Sequence, residues 1–162
     1  MKTLKVINSD LNISENFKFS EYFNPTVSHT KLEFDIPECL IRGMQYMRDY
    51  FKIPLEITSV FRPTDHFGFH QTGHAVDSVP SDRKLALSIL DKFKEECINY
   101  KNSPLIKGLR LKGVNGFGIE SYCIHLDYRP DINCTLADDN GKFCIFFWEN
   151  DGSSNGKSTL VW

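Results

Sequence analysis

His70, Asp77 and His125 offer this chain two imidazoles and a carboxylate that could together hold a divalent metal. His70 and Asp77 stand seven residues apart in His70-Gln71-Thr72-Gly73-His74-Ala75-Val76-Asp77, and His125 follows far downstream in Ile124-His125-Leu126-Asp127. Imidazole nitrogens with one carboxylate suit a zinc ion. Three protein ligands instead of four would leave a coordination position for water, which points to hydrolysis rather than structural bracing. Gly73 between the first two residues would let the backbone turn sharply so that both side chains converge.

These residues need elements to position them. Leu55-Glu56-Ile57-Thr58-Ser59-Val60-Phe61 alternates and predicts a strand leading into a loop over 62–68. Ala75 to Val79 predicts a short strand carrying Asp77 and closed by Pro80, and Tyr122 to Tyr128 a central strand that fixes the direction of His125. Lys142 to Trp148 predicts a further strand. A helix is expected from about Asp35, with Pro37 in its first turn and Cys39, Leu40, Gly43, Met44, Met47 and Phe51 on one face. A second is expected after Ser81 as N-cap, with Leu85, Leu87, Ile89, Leu90, Phe93 and Cys97 as its apolar face. Residues 1–16 read as a loose lead-in, 99–107 as a connector, and Leu109 to Val114 as an alternating segment ended by a turn at Asn115-Gly116. The mixture predicts an α+β fold: a small antiparallel sheet with helices packed on one side.

The length of 162 residues fits one domain, with a core over 17–130 and residues 131–162 as a C-terminal extension, expected to be a hairpin on the core. A net charge of -2 gives no argument for a nucleic-acid or anionic-membrane partner. No apolar run is long enough for a membrane span, and the N-terminus lacks the pattern of a signal peptide. The expectation is synthesis in a reducing cytosol as a monomer, with any action outside following lysis or carriage in a particle. Five cysteines without a Cys-x-x-Cys predict buried free thiols.

Three segments together resemble the zinc D-Ala-D-Ala peptidase family: Ser59-Val60-Phe61-Arg62-Pro63, His70-x-x-Gly73-x-Ala75-x-Asp77, and the late strand carrying His125. That group includes D,D- and L,D-carboxypeptidases, D-Ala-D-Ala dipeptidases and phage endolysins, and the hedgehog signalling domain shares its fold. Phe19-Ser20-Glu21-Tyr22-Phe23 and the helix before Ser59 resemble the branch often found in bacteriophages, and the resemblance spans about residues 17–130. It implies one zinc per chain on His70, Asp77 and His125, and peptidoglycan stem peptides as the substrate. It also implies that Arg62 holds the substrate carbonyl or its developing oxyanion. Ser59 is expected to orient the loop.

Many relatives carry an acid three positions before the last histidine, where this chain has Tyr122, a poor base at neutral pH. Glu120 and Asp127 are the nearby carboxylates. In a strand, Asp127 shares the face of His125 about 6–7 Å away, whereas Glu120 has opposite parity unless the chain turns before Tyr122. Asp127 is therefore the expected base, or the partner that orients the attacking water. The alternative makes Asp127 the third ligand and His125 the proton shuttle. The missing acid also leaves open a metal-binding protein with little or no turnover. Gly68, where relatives often carry Ser, reads as a change in loop support. His74 is expected beside the site or facing solvent, and His66 and His29 on the surface.

Overall fold

The computed structural model describes residues 1–23, 33–63, 68–120, 122–129, 134–149 and 157–160. β1 (Thr3–Ile7) buries Val6, α1 (Phe19–Phe23) buries Tyr22, and β2 (Glu33–Pro37) pairs antiparallel with β1 to bury Phe34 and Ile36. The lead-in expected over 1–16 is thus partly a strand. Its partner lies about thirty residues on, so local sequence carries no sign of the pairing.

α2 (Glu38–Phe51) begins directly after Pro37, whose ring fixes φ at a value a helix start accepts and whose missing N–H is no loss there. Cys39, Leu40, Met44, Met47 and Phe51 recur at helical spacing and are buried, and Lys52 ends the helix in the left-handed conformation. β3 (Leu55–Ser59) and β4 (Ala75–Pro80) follow as an antiparallel pair. α3 (Ala86–Ile98) starts after Leu85, not at Ser81. Asp82 nucleates the turn before it by accepting from the Lys84 N–H through its side chain and the Leu85 N–H through its carbonyl. Only Leu90, Phe93 and Cys97 of its expected apolar face are buried.

α4 (Pro104–Lys112) corrects two expectations. Ser103 caps it by accepting from the Ile106 N–H at 2.9 Å, and Pro104 takes the first helical position. The connector therefore ends at Ser103. The alternation of Leu109 to Val114 is the end of this helix, because Leu105, Ile106 and Leu109 turn inward while Leu111 faces solvent. Asn115 then opens β5 (Gly116–Glu120) instead of turning a hairpin.

β6 (Cys123–Asp127), β7 (Leu136–Asp138), β8 (Gly141–Glu149) and β9 (Lys157–Leu160) complete the chain. The larger sheet runs β3-β4-β6-β5-β8-β7, with β9 also paired to β8. It is mixed, not purely antiparallel, because β8 lies parallel to β5. The fold is α+β: among the described residues it comprises this sheet, the two-stranded β1–β2 sheet and four helices. α3 packs against β4, β5 and β6, and α2 against β6. Val76, Phe117, Ile124 and Leu126 belong to the core, and the alternate residues Asp77, His125 and Asp127 lie on the other face of their strands. Buried Arg110 of α4 grips Asp138 through two hydrogen bonds, at 3.0 and 2.9 Å, tying the β7–β8 hairpin to the helices. Among the described residues no helix is long and apolar enough to cross a membrane.

The thiols depart from expectation. Cys39 and Cys97 are buried and free and Cys123 is half-buried, but Cys134 and Cys144 form a disulfide ten residues apart. The turn that folds β7 onto β8 brings their Cα atoms to 5.0 Å, within disulfide range. Closing a loop of that length is worth about 2–3 kcal/mol through the unfolded chain. Urea unfolding with and without dithiothreitol should therefore differ by that amount, and coincident curves would count against the bond.

Candidate metal centre

Strand register builds the site. Ser59, Asp77, His125, Gly118 and Phe146 are successive partners across β3, β4, β6, β5 and β8. Two residues along, Ala75, Asp127, Gly116 and Cys144 form a parallel row. Side chains two apart share a face, so Asp127 stands beside His125. The glycines of β5 leave the space above them to their neighbours. A Cβ on Gly116 would lie 1.7 Å from Asp127 Oδ1, and one on Gly118 would lie 2.4 Å from the Phe146 ring.

His70 comes from outside the sheet, on a 3-10 turn over Phe69–Thr72. Its carbonyl accepts from the Arg62 N–H at 2.8 Å, pinning the turn to the chain leaving β3. Gly73 ends the turn at φ 75°, a conformation costly for any residue with a Cβ, and a Cβ there would also lie 2.6 Å from the Asp35 carbonyl. The turn delivers the His70 ring to the β4–β6 pair. The Asp77 carboxylate then bridges the two histidines: Oδ1 lies 2.7 Å from His125 Nδ1 and Oδ2 lies 3.1 Å from His70 Nε2. The rings are 5.2 Å apart and nearly perpendicular, and all three residues are buried.

The donor atoms fit a divalent metal. His70 Nδ1 lies 2.7 Å from the Val60 carbonyl, which can only accept, so that nitrogen carries the proton. Nε2 of the neutral ring is then a lone pair. It is buried and makes no hydrogen bond, since its approach to Asp77 lacks hydrogen-bond geometry. A buried acceptor without a donor is costly, and a cation between these groups would satisfy it. One ligand atom from each of His70, Asp77 and His125 falls within 4.8 Å of the others.

Charge in the cluster is set by competition between burial and contact. Burial pushes His125 down, but hydrogen bonds to Asp127 and Asp77 outweigh it and hold the ring up to about 10. Burial would raise Asp77, yet the hydrogen bond and positive charge of His125 hold its carboxyl well below the usual range. Asp127 is likewise held low against burial, by His125 and by the guanidinium of Arg129.

Asp127 lies against His125 on the side away from Asp77. Its carboxylate is fully buried and lies 3.1 Å from His125 Nε2, the nitrogen that faces away from Asp77. Arg129 takes both its oxygens, Nε donating to Oδ1 at 2.7 Å and Nη2 to Oδ2 at 2.6 Å. Strand parity places Asp127 on the face of His125, as expected, and the Arg129 fork holds its carboxylate against the ring. His70, Asp77 and His125 form the group that could share an ion, and Asp127 sits outside it.

The other residues divide as follows. Ser59 is half-buried with Oγ 3.5 Å from His70 Nδ1, and Arg62 is half-buried beside the same turn. His74 lies outside the cluster, its Nδ1 2.7 Å from Thr72 Oγ1 and its ring against Tyr128. Tyr122 is 69% exposed in the β5–β6 turn. Glu120 ends β5, and its side chain lies outside the described residues, as do His29 and His66. Arg129, Asn115 and Phe146 are the contributors that sequence reasoning missed. Extending the alternation of His125 and Asp127 by one more step would have reached Arg129. No protein-family model, no curated protein and no solved structure matches this chain.

Proposed function

We propose that this chain is a zinc-dependent peptidase that hydrolyses peptide bonds in peptidoglycan stem peptides, as a D,D- or L,D-carboxypeptidase or an endopeptidase. The observation that carries the reading is the buried lone pair of His70 Nε2 turned toward the Asp77–His125 pair. It belongs to a His-x-x-Gly-x-Ala-x-Asp segment whose resemblance to zinc D-Ala-D-Ala peptidases supplies the substrate class. A hedgehog-like fold and a role in wall degradation, after lysis or from a phage particle, belong to the same proposal.

When bound on His70, Asp77 and His125, zinc would supply an acidified water, of pKa about 7, and polarise the scissile carbonyl. The chain's own residues prepare the site. The Val60 carbonyl sets the tautomer of His70, and Asp127 holds the far nitrogen of His125. Arg62, on the loop pinned by the His70 carbonyl, would bind the carbonyl oxygen of the substrate as charge develops there.

One observation favours a second reading, a metal-binding protein of little turnover. Among the described residues the buried carboxylates are Asp77 and Asp127, and both are engaged by histidine or arginine. Incubation of the zinc-loaded protein with purified peptidoglycan separates the two. Release of D-amino-acid-containing fragments, abolished by a chelator and by Asp77→Ala, is the expected result. No release with zinc stoichiometrically bound would leave the binding-protein reading.

A further inference from the structure

We propose that Arg129 is the positioning residue that holds the two histidines of the centre in register for a metal, an inference that rests on the metal reading above. Its guanidinium makes contacts on three sides. Its edge forks onto both oxygens of Asp127, which in turn faces His125 Nε2. It also lies 4.7 Å from the centre of the Phe69 ring and 5.0 Å from that of Phe146. Phe69 immediately precedes His70 on the 3-10 turn, and the Phe146 ring packs against His125 at 5.2 Å. One side chain therefore touches the turn that carries the first histidine, the carboxylate behind the second, and the aromatic ring beside it.

The backbone of Arg129 is fixed as well. Asn115 accepts from its N–H at 2.7 Å and donates to its carbonyl at 2.9 Å, so the residue is clamped where β6 ends. Gly116 lacks the Cβ that would fill the place of the Asp127 carboxylate. Only a planar, delocalised cation can fork onto a carboxylate and lie against aromatic faces at once; an ammonium offers a point charge without that shape. Arg129 would thus lower the cost of metal binding by keeping the His125 ring, through Asp127, and the His70 turn, through Phe69, in their ligating positions before the ion arrives.

Zinc affinity, measured by competition with a chromophoric chelator on the full chain, tests this. Arg129→Ala should bind zinc about 10–100-fold more weakly, the usual loss when a residue supporting a ligand is removed. The visible absorption bands of the cobalt(II)-loaded form should shift, because the ligand field reports ring orientation where a general loss of stability does not. Arg129→Lys should recover only part of the affinity, and it carries the test if the alanine variant does not fold. Circular dichroism of the metal-free variants confirms that the fold persists. Wild-type zinc affinity and an unchanged cobalt spectrum in folded Arg129→Ala would overturn the inference while leaving the metal centre intact. So would a lysine variant indistinguishable from wild type. Failure of the wild-type chain itself to bind zinc would remove the metal reading and this inference together.

Discussion

Replacing His125 with alanine should abolish zinc binding and also destabilise the metal-free protein by about 3–5 kcal/mol, the cost of breaking a buried ion pair from one side. His125 lies between Asp77 and Asp127, facing one with each ring nitrogen. Both carboxylates are buried, Asp127 completely. Without the imidazole, among the described residues Asp77 is left beside the His70 ring and Asp127 with Arg129. Two negative charges would then share a buried site with less compensation, and either the fold loosens or one carboxyl takes up a proton. Urea unfolding of the chelated variant, read beside its zinc content, checks both effects. Wild-type stability with one zinc retained would mean that His125 is neither a ligand nor the hub of the cluster.

The second large effect is steric. Gly116→Ala places a methyl group 1.7 Å from Asp127 Oδ1 and 2.2 Å from its carboxyl carbon. Asp127 cannot swing away without breaking the Arg129 fork and leaving His125 Nε2. Overpacking of a tight interior costs about 1–3 kcal/mol, and the upper end applies where the obstructing group is held by several hydrogen bonds. Zinc affinity should fall as well, by about 10–100-fold, because the carboxylate displaced is the one that orients a ligand. Gly118→Ala is expected to destabilise by a different route, through Phe146, whose carbonyl oxygen would lie 2.6 Å from the new Cβ. An alanine at 116 with unchanged unfolding and zinc affinity would show that β5 is not packed against Asp127 as described.

The cluster of His70, Asp77 and His125 was legible in the sequence because backbone geometry ties the three residues together. Asp77 and His125 each lie in a short strand expected from its local sequence, and Gly73 marks the turn that returns His70 to them. α2 was legible for a similar reason, since its apolar spacing and Pro37 are local signals. What escaped depends on partners distant in sequence. Nothing in the first ten residues announces pairing with β2, and nothing in Lys142 to Trp148 says that it lies parallel to β5. α4 was misread because Leu109 to Val114 alternates by coincidence where a helix ends, while the decisive signal, Ser103-Pro104, stood six residues earlier. The placement of Asp127 was half legible. Strand parity gives the direction of a side chain, but not which of two nitrogens it meets, nor that Arg129 reaches it first.

Zinc content of the purified chain and of Asp77→Ala, measured by mass spectrometry after dialysis against zinc-free buffer, decides whether His70, Asp77 and His125 hold a metal. Asp77 touches both histidines and is the shared element of the cluster. One zinc per wild-type chain and none in the variant is the predicted result. A wild-type chain that takes up no zinc from micromolar solution, or an Asp77→Ala chain that keeps one, would contradict it.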